Sequence, residues 1–334
     1  MKCIIFTEGG GSSGLGHIAR CLALSQAFRK KGIFCQFMVN GDRTSGELLA
    51  GEEYILTDWV RGETEIDDLL KKNDIAVVDS YLAAPSFYEK VSALVGTPVF
   101  IDDNKRIDYP QGVIVNGNIY APELDYLKKE GSKYLLGLKY APMREEFRNP
   151  PRKKVRQRIE EAVITFGGND KGNMTPLFVS ILKRIVPSLR KKVLVGKTFD
   201  SIDEIKPLSD ENTELIFNPG GIKMRSVMES ADVAFSGGGQ TLAELARAGV
   251  PTLALCVADN QVRNVKAWQE SGFLEYLMRG EEDGFSSKVE DFLKRHEDPA
   301  IRQEKSDIGR KLVDGKGAIN ILNEVISYGK ERQI

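Results

Sequence analysis

The sequence predicts an α/β protein made of two Rossmann-like domains, each built around a parallel β-sheet. Three observations lead to this prediction. Short, almost uninterrupted apolar runs alternate with helical patterns through the 334 residues, as in strands that are buried on both faces of a parallel sheet. A glycine-rich turn follows the first strand of each half. The stretch 148–154 contains two prolines and a basic cluster, which is typical of a linker.

We therefore expect an N-terminal domain over residues 1–148 and a C-terminal domain over 149–334. The strand ends of both domains are expected to face a central cleft, where α/β proteins bind ligands. In the first half, a helix over His17–Lys31 carries apolar residues near one face and stops at Gly32. The predicted strands of this half are Lys2–Phe6, Ile33–Val39, Ile75–Val78, Pro98–Ile101 and Val113–Val115.

The second half repeats the alternation, and three helix-like segments form its tail, the last at about 318–330. Its predicted strands are Ala162–Phe166, Lys192–Val195, Thr213–Phe217, Asp232–Phe235 and Thr252–Val257. Its predicted helices are Asn173–Ile185, Gly221–Ser230, Gln240–Ala248 and Gln261–Ser271.

Composition excludes several classes of protein. The 47 basic and 48 acidic residues argue against a protein that mainly neutralises nucleic-acid phosphates. No apolar stretch approaches a signal peptide or the roughly 18 residues of a membrane span, so we expect a cytoplasmic protein. The four cysteines lie in apolar segments without a Cys-x-x-Cys pair, which predicts reduced core thiols rather than disulfides or a zinc site.

Histidine is scarce, and one of the two histidines lies at a promising position. His17 follows the turn Gly9–Gly16 and opens a helix. The positive end of that helix favours a neutral ring, which is competent as a base near pH 7. A histidine that merely packs against the turn is the alternative. His296 lies in a charged stretch, and we expect it to be a solvated surface residue.

Cofactor motifs are weak or missing. Gly9, Gly11 and Gly14 match the spacing of the dinucleotide fingerprint, but Asn40 and Gly41 stand where its acidic residue is expected. Neither glycine turn continues into Gly-Lys-Ser/Thr, so a P-loop is excluded. We therefore expect no cofactor and no metal.

The second half carries a sharper signal for an anion. Ser236 and three glycines follow a strand and open the helix that contains Thr241 and Glu244. Successive N–H groups and a helix N-terminus form a site that suits a diphosphate, and Glu244 would accept hydrogen bonds from a ribose diol. The alternative is a tight turn with an acid that favours the helix dipole. Asn260 and Gln261 follow the next strand.

Other polar groups lie at strand ends and admit two interpretations each. Gly167–Asp170 forms either a second phosphate-compatible turn or an ordinary turn. Arg144 either reaches the ligand or is solvated. The acids of Asp79-Ser80-Tyr81 and Asp102-Asp103 either bind sugar hydroxyls or cap the turns that follow.

Several of these motifs, taken together, resemble a known family. The motifs are Gly14-x-Gly16-His17-x-x-Arg20-Cys21-Leu22, Val78-Asp79-Ser80-Tyr81, Asp102-Asp103, Asn116-x-Asn118-x-Tyr120, Gly137-x-x-Tyr140-Ala141-Pro142-x-Arg144, Phe166-Gly167-Gly168-x-Asp170 and Gly238-Gly239-x-Thr241-x-x-Glu244. In this order the chain resembles the UDP-sugar hydrolase of pseudaminic acid biosynthesis, whose relatives include a spore-coat polysaccharide protein. The resemblance runs from Lys2 to about Gly272.

The resemblance implies a GT-B-like fold, whose last helix often crosses back onto the first domain. It implies metal-independent hydrolysis of UDP-2,4-diacetamido-2,4,6-trideoxy-β-L-altropyranose, with water attacking the anomeric carbon with inversion. The family's catalytic histidine and tyrosine fall on His17 and Tyr81. The candidate substrate-binding residues are then Gly14, Gly16, Arg144, Gly168, Asp170, Asn173, Ser236, Gly237, Gly238, Gly239, Thr241, Glu244, Asn260 and Gln261.

One departure and three rival functions remain open, the third and weakest rival being an epimerase, whose product would have the mass of the substrate. Family members commonly have Arg-x-Asp after the first strand, whereas this chain has Thr7-Glu8-Gly9, so the identity of the sugar is open. A glycosyltransferase of the same fold would use a sugar or lipid acceptor in place of water. A non-catalytic nucleotide-sugar binding protein would bind UDP without turnover. The sequence does not give the oligomeric state.

Overall fold

The computed structural model describes residues 1–10, 14–61, 66–170, 172–199, 202–280 and 282–332. The chain divides into two compact units, of which the first comprises Met1–Glu145 and Gly315–Ile334 and the second Glu146–Asp314. Each unit contains one parallel β-sheet. The division lies three residues before the predicted boundary at 148/149, and the last segment of the chain groups with the first unit.

The first unit is built on a seven-stranded sheet with the order β3-β2-β1-β4-β5-β6-β7. Its strands are β1 (Lys2–Gly9), β2 (Phe34–Gly41), β3 (Glu53–Leu56), β4 (Ile75–Asp79), β5 (Thr97–Ile101), β6 (Val113–Asn116) and β7 (Lys133–Leu136). The helices between them are α1 (Gly16–Lys30), α2 (Arg43–Leu48), α3 (Ile66–Leu69) and α4 (Pro85–Leu94). All of these strand pairs are parallel, so the carboxyl ends of the strands meet at one edge of the sheet.

The second unit is built on a six-stranded sheet with the order β10-β9-β8-β11-β12-β13. Its strands are β8 (Glu161–Thr165), β9 (Arg190–Val195), β10 (Thr213–Phe217), β11 (Val233–Gly237), β12 (Thr252–Cys256) and β13 (Leu274–Met278). Its helices are α5 (Met174–Ile185), α6 (Ile202–Ile205), α7 (Gly221–Ser230), α8 (Thr241–Ala248), α9 (Val262–Glu270), α10 (Phe285–His296) and α11 (Pro299–Leu312). Helix α8 ends where Gly249 adopts a left-handed conformation, with φ of 74°, which glycine adopts without steric cost.

Helix α1 is held in place by the core of the first unit. Cys3 and Ile5 of β1 and Val77 of β4 pack in one cluster with Leu24 and Phe28 of α1, and all five are fully buried. Burying each of the larger side chains contributes about 1.5–3 kcal/mol. This packing fixes the first turn of α1, which carries His17, at the carboxyl edge of the sheet.

The final helix, α12 (Gly317–Glu331), also packs in the first unit. Ile321 and Val325 belong to the same core cluster as Leu24 and Phe28 of α1. At the start of α12, a Cβ atom added to Gly317 would lie 1.9 Å from the carbonyl oxygen of Ala141. Only glycine therefore allows this close approach.

All ten predicted strands are confirmed, with ends that differ by at most three residues. Three strands were not predicted, namely β3, β7 and β13, and all three lie at sheet edges. Edge strands are only partly covered, so they lack the continuous apolar run that marks a central strand; every residue of β3 is exposed. The four cysteines are buried free thiols, as expected.

The expectation for His296 is wrong. Its side chain is buried, and its Nδ1 lies 2.9 Å from the carbonyl oxygen of Phe292. Burial lowers the pKa of this imidazole. The charged neighbours in the sequence conceal a helical spacing, because His296 follows Phe292 by four residues and Val289 by seven on the buried face of α10. In the part of the chain that the structure describes, no helix has the length and apolar character needed to cross a membrane.

Candidate functional site

The candidate site of the first unit lies where β1, β4 and β5 end at the carboxyl edge of the sheet. Five side chains meet there: His17 and Arg20 from α1, Asp79 and Tyr81 from the end of β4, and Asp103 from the segment after β5. We call these five residues the His17 cluster. His17 and Arg20 are three residues apart, which places them on one face of the helix.

His17 is oriented by a buried carboxylate. Its Nδ1 lies 2.6 Å from Oδ1 of Asp79, whose side chain is fully buried, whereas 12% of the His17 side chain is exposed. A carboxylate only accepts hydrogen bonds, so this contact assigns the proton to Nδ1 and leaves the lone pair on Nε2. The arrangement gives His17 a fixed tautomer that is able to accept a proton.

Arg20 joins two carboxylates in the interior of the site. Its Nε and Nη2 donate to Asp79 at 2.6 and 2.5 Å, and its Nη1 donates to both oxygens of Asp103 at 2.8 and 2.9 Å. Burial alone would raise the pKa of each carboxyl, but the charge of Arg20 and the hydrogen bonds that each carboxylate accepts together outweigh burial. The pKa of Asp79 is therefore held well below its ordinary value, with a contribution from His17, and that of Asp103 is also lowered.

Tyr81 adds a neutral phenol beside the imidazole. Its hydroxyl donates to Asp103, and its ring meets the ring of His17 edge to face at a centroid distance of 4.5 Å. Burial and the charge of Asp103 raise the pKa of the phenol far above its ordinary value, so Tyr81 is a hydrogen-bond donor and not a base at neutral pH. The residue is nevertheless 42% exposed, and its remaining surface is open to a ligand.

Glu8 shapes the turn that carries Tyr81. Its carboxylate is buried at the end of β1 and accepts hydrogen bonds from the hydroxyl of Ser80 and from the backbone N–H of Tyr81 at 2.8 Å. The same turn is closed by Leu82, whose N–H donates to Oγ of Ser80 at 3.0 Å. The residue at the departure from the family pattern thus contacts the chain itself.

The acids at the next strand end resolve into two different roles. Asp103 joins the His17 cluster, where Asn118 also donates to it at 2.9 Å. Asp102 instead accepts from the backbone N–H of Lys105 at 2.8 Å and from the hydroxyl of Tyr126 at 2.5 Å. Asp102 therefore caps the turn that follows β5, as the alternative interpretation holds.

The glycine-rich turn precedes this cluster. Gly10 and Gly14 form an antiparallel bridge with N···O distances of 3.0 and 2.8 Å, and Gly16 begins α1. A Cβ atom added to Gly14 or Gly16 would meet no other atom within 4 Å, so both backbones face open space. The predicted turn residues Gly11, Ser12 and Ser13 lie outside the described residues.

In the second unit, the predicted diphosphate turn lies at the carboxyl end of β11. Gly238 is closely packed, because an added Cβ atom would lie 2.6 Å from Cγ1 of Val265. Its carbonyl oxygen accepts from Nδ2 of Asn264 at 2.9 Å. At Gly239, by contrast, an added Cβ atom would meet nothing within 4 Å. The turn thus pairs a packed glycine with an open one at the N-terminus of α8.

The other predicted residues of this turn lie on the same short stretch of the second unit. Ser236 is buried and donates to the carbonyl of Gly237 at 3.1 Å. Thr241 begins α8, and Glu244 lies in its first turn, where a carboxylate interacts favourably with the helix dipole. The N–H groups of Leu242 and Ala243 donate to the carbonyls of Gly239 and Gln240 at 3.2 and 3.1 Å, and that of Gly238 donates to the carbonyl of Leu255 at 3.1 Å. What the turn offers an anion is therefore the positive end of the α8 dipole beside the open backbone of Gly239.

Asn260 and Gln261 lie in a one-turn 3₁₀ helix after β12, beside the same turn. The side-chain oxygen of Gln261 accepts from the backbone N–H of Val257 at 3.1 Å and would lie 3.1 Å from a Cβ atom added to Gly238. Gln261 therefore helps to hold the turn, whereas Asn260 is exposed.

In the turn after β8, one of the predicted ligand-binding residues, Asp170, has a structural role. Asp170 is buried and accepts from the backbone N–H groups of Met174 at 3.0 Å and Thr175 at 2.7 Å. Its carboxylate therefore satisfies the N-terminus of α5. Asn173 donates to Glu204 at 2.6 Å, and the carbonyl of Gly168 accepts from Thr198 at 2.9 Å. Roles for these residues in ligand binding stay predictions.

Arg144 belongs to the first unit and is partly buried. Its predicted contact with a ligand is untested by the geometry. Among the residues that the structure describes, no group of three or more histidine, cysteine, aspartate or glutamate side chains is arranged to hold a metal ion.

With two parallel-sheet Rossmann-like units, this protein has a GT-B-like fold, which is the fold of the glycosyltransferases to which it is structurally similar. MurG of Acinetobacter baumannii superposes with a TM-score of 0.65 at 13% identity over 98% of this chain and all of that chain. The calicheamicin glycosyltransferase CalG4 gives a TM-score of 0.66 at 14% identity over 98% of both chains. The predicted fold class is therefore confirmed.

Sequence comparison confirms the predicted resemblance. The chain is 26% identical over 271 residues to the pseudaminic acid cytidylyltransferase and UDP-2,4-diacetamido-2,4,6-trideoxy-β-L-altropyranose hydrolase of Helicobacter pylori. That match covers 79% of this chain and 46% of the relative, so the chain spans about half the length of that protein. It is 22% identical over 339 residues to the spore coat polysaccharide biosynthesis protein SpsG of Bacillus subtilis, over 95% of both. No protein-family model matches the sequence.

Three members of the His17 cluster were not predicted as site residues. Arg20 entered only as part of a motif, and Asp79 and Asp103 were assigned no definite role. The sequence does contain a signal for the two acids, since β1, β4 and β5 are adjacent in the sheet and acidic residues stand at the carboxyl ends of β4 and β5. The sequence does not reveal that a single arginine joins both acids, because this depends on the packing of α1.

Proposed function

We propose that this protein is a nucleotide-sugar hydrolase that converts a UDP-linked diacetamido-trideoxy sugar into the free sugar and UDP. The observation that carries the proposal is the contact of 2.6 Å between His17 and the buried Asp79, because it supplies an oriented base at the ligand edge of a sheet. The relatives support a sugar-nucleotide enzyme of surface-polysaccharide or nonulosonic acid biosynthesis, since one of them is named for this hydrolysis.

In the proposed reaction, Nε2 of His17 takes a proton from water as the water oxygen attacks the anomeric carbon. The bond between that carbon and the glycosidic oxygen breaks, the electron pair leaves with UDP, and the configuration inverts. The developing imidazolium is stabilised by Asp79, to which Nδ1–H already donates. General-base catalysis of this kind contributes about 10²–10⁴-fold to the rate.

The second unit would bind the nucleotide in this scheme. The turn Gly237–Gly239 and the N-terminus of α8 would hold the diphosphate and stabilise its charge as it departs. Glu244 would accept hydrogen bonds from the ribose diol, and Asn260 would contact the nucleotide from the next strand end. Gly14 and Gly16, which carry no side chain, would let the backbone approach the substrate closely in the first unit.

A second candidate function is a glycosyltransferase that uses a sugar or lipid acceptor in place of water. The fold supports it, because CalG4 is a glycosyltransferase with a TM-score of 0.66. Under this alternative, His17 would take the proton from an acceptor hydroxyl rather than from water.

A labelled-water experiment separates the two functions. The protein is incubated in H₂¹⁸O with a panel of UDP-diacetamido sugars and no acceptor, and products are followed by NMR and mass spectrometry. The hydrolase predicts stoichiometric free sugar of inverted configuration that carries ¹⁸O, and UDP that carries none. Intact substrate, or ¹⁸O in the UDP, contradicts the proposal.

His17→Asn tests the base within the same assay. We expect turnover to fall by at least about 10²-fold, while UDP affinity measured by calorimetry and the thermal midpoint stay close to the native values. Undiminished turnover in this variant would show that His17 is not the base.

A further inference from the structure

The His17 cluster contains a second carboxylate that does not touch the imidazole. Asp103 accepts two hydrogen bonds from Nη1 of Arg20, while Nη2 of the same guanidinium lies 3.0 Å from Nδ1 of His17. Asp103 also accepts the hydroxyl proton of Tyr81, whose ring packs against that of His17. Asp103 is thus linked to His17 in two ways, through the guanidinium of Arg20 and through the ring of Tyr81.

The charges of the cluster are unbalanced when His17 is neutral. Arg20 supplies one positive charge, and Asp79 and Asp103 supply two negative charges, because the pKa of each carboxyl is lowered. A proton on His17 brings this group of four side chains to neutrality. Within the described residues, Tyr88 and Tyr126 and three other ionisable side chains lie around these groups, and the N-terminus of α1 adds partial positive charge. The other three are Glu8 behind Tyr81, Cys21 beside Asp79 and Asp42 beside Gly10.

We propose that Asp103 is a positioning residue that places a second negative charge behind Arg20 on the side of His17 and holds Tyr81 against the imidazole. Asp103 occupies the Nη1 side of Arg20, so Asp79 does not carry the whole charge of the guanidinium and remains available to the imidazole. The proposal rests on the proposed function for the use of the proton, but the proton affinity itself is measurable without any substrate.

The size of the effect follows from the contacts. The links through Arg20 place Asp103 within about 8 Å of Nδ1 of His17. At an effective dielectric constant of about 20, a unit charge at that distance changes a titration midpoint by roughly one and a half pH units before screening by solvent. The side chain of Asp103 is 16% exposed, so we expect a change of roughly half a unit to one unit.

The experiment follows the two imidazoles by NMR in full-length protein, from pH 4.5 to 9, without substrate. His17→Asn assigns the signals, since the chain has only two histidines. Asp103→Asn should lower the His17 midpoint by roughly half a unit to one unit. Asp108→Asn removes an exposed carboxylate from the same segment and should move the midpoint by less than about 0.2 units. Asp103→Glu keeps the charge and should restore most of the native midpoint.

An unchanged or raised His17 midpoint in Asp103→Asn would overturn the inference. If this variant does not fold, Asp103→Ser removes the same charge with a smaller side chain and is judged by the same shift. Failure of the inference is distinguishable from failure of the proposed function. A lowered midpoint in a protein that hydrolyses no UDP-sugar refutes the function alone, and hydrolysis with an unmoved midpoint refutes the inference alone. Where hydrolysis occurs, the acid limb of the rate profile should move with the midpoint.

Discussion

Replacing Asp79 by asparagine is the sharpest test of the candidate site. The native carboxylate is fully buried and accepts from Nδ1 of His17 and from two nitrogens of Arg20. An amide of the same size keeps the packing but removes the charge that stabilises an imidazolium. It also allows the other tautomer of His17, because an amide group donates as well as accepts. We expect kcat for UDP-sugar hydrolysis to fall by about 10²–10⁴-fold.

The same change has a cost in stability that can be separated from the loss of activity. Removing one partner of a buried ion pair costs about 3–5 kcal/mol, and here Arg20 retains Asp103, so the lower end applies. For a unit of this size, about 3 kcal/mol lowers the thermal midpoint by roughly 6–12 °C. The variant should therefore remain folded at 25 °C, where its activity is measured.

Asp74→Asn is the matched control for this experiment. Asp74 lies just before the opposite end of the same strand, β4, and is also buried. It accepts from the backbone N–H of Lys2 at 3.0 Å and of Lys71 at 3.2 Å. This control should lose stability but keep its kcat within about threefold of the native value. Equal losses of kcat in both variants would refute the argument that Asp79 acts through His17.

Two further predictions concern the diphosphate turn and the response to acid. Gly239→Ala should keep the native thermal midpoint, because the new methyl group meets no protein atom. If a phosphate approaches there, the same variant should bind UDP at least about tenfold more weakly, as measured by calorimetry. Gly238→Ala, whose Cβ would lie 2.6 Å from Val265, should instead destabilise the protein by about 1–3 kcal/mol. Native UDP affinity in Gly239→Ala would exclude this turn as the diphosphate site. The pKa values of Asp79 and Asp103 are lowered in the folded state, so their contribution to stability is complete above about pH 5 and is lost as the pH falls below about 4. Urea unfolding at pH 3, 4 and 7 should show that the free energy of unfolding falls less steeply with acid in Asp79→Asn than in the native protein. Equal slopes in the two proteins would contradict this prediction.

The central part of each sheet was predictable because its strands carry continuous apolar runs. β4 reads Ile75–Asp79 and is buried at every position, so the local sequence alone marks it as a central strand. β3 is exposed throughout and contains a glutamate, so its place in the sheet depends on pairing with β2 rather than on its own residues. His296 is a second case in which neighbouring residues mislead, because its helical spacing buries it although the residues around it in the sequence are charged.

The candidate site was predictable only as a location. Glycine turns and polar strand ends identify the carboxyl edges of both sheets, and His17 follows from its position and from the scarcity of histidine. The surroundings of His17 depend on long-range contacts of Arg20, which binds Asp79 at a separation of 59 residues and Asp103 at a separation of 83 residues. No local pattern encodes these contacts.

Glu8 gives a physical meaning to the one departure from the family pattern. A residue at the carboxyl end of β1 has two outcomes available: it faces a ligand, or it turns into the chain. Glu8 is 4% exposed, and its oxygens accept from the Ser80 hydroxyl and the Tyr81 N–H, so its capacity as an acceptor serves the turn after β4. That turn presents Tyr81 and the 60% exposed Leu82. Since Tyr81 packs against His17 and Leu82 follows it on the same turn, we expect discrimination between sugars in the proposed reaction to depend on these two side chains, and on Glu8 through the backbone that holds them.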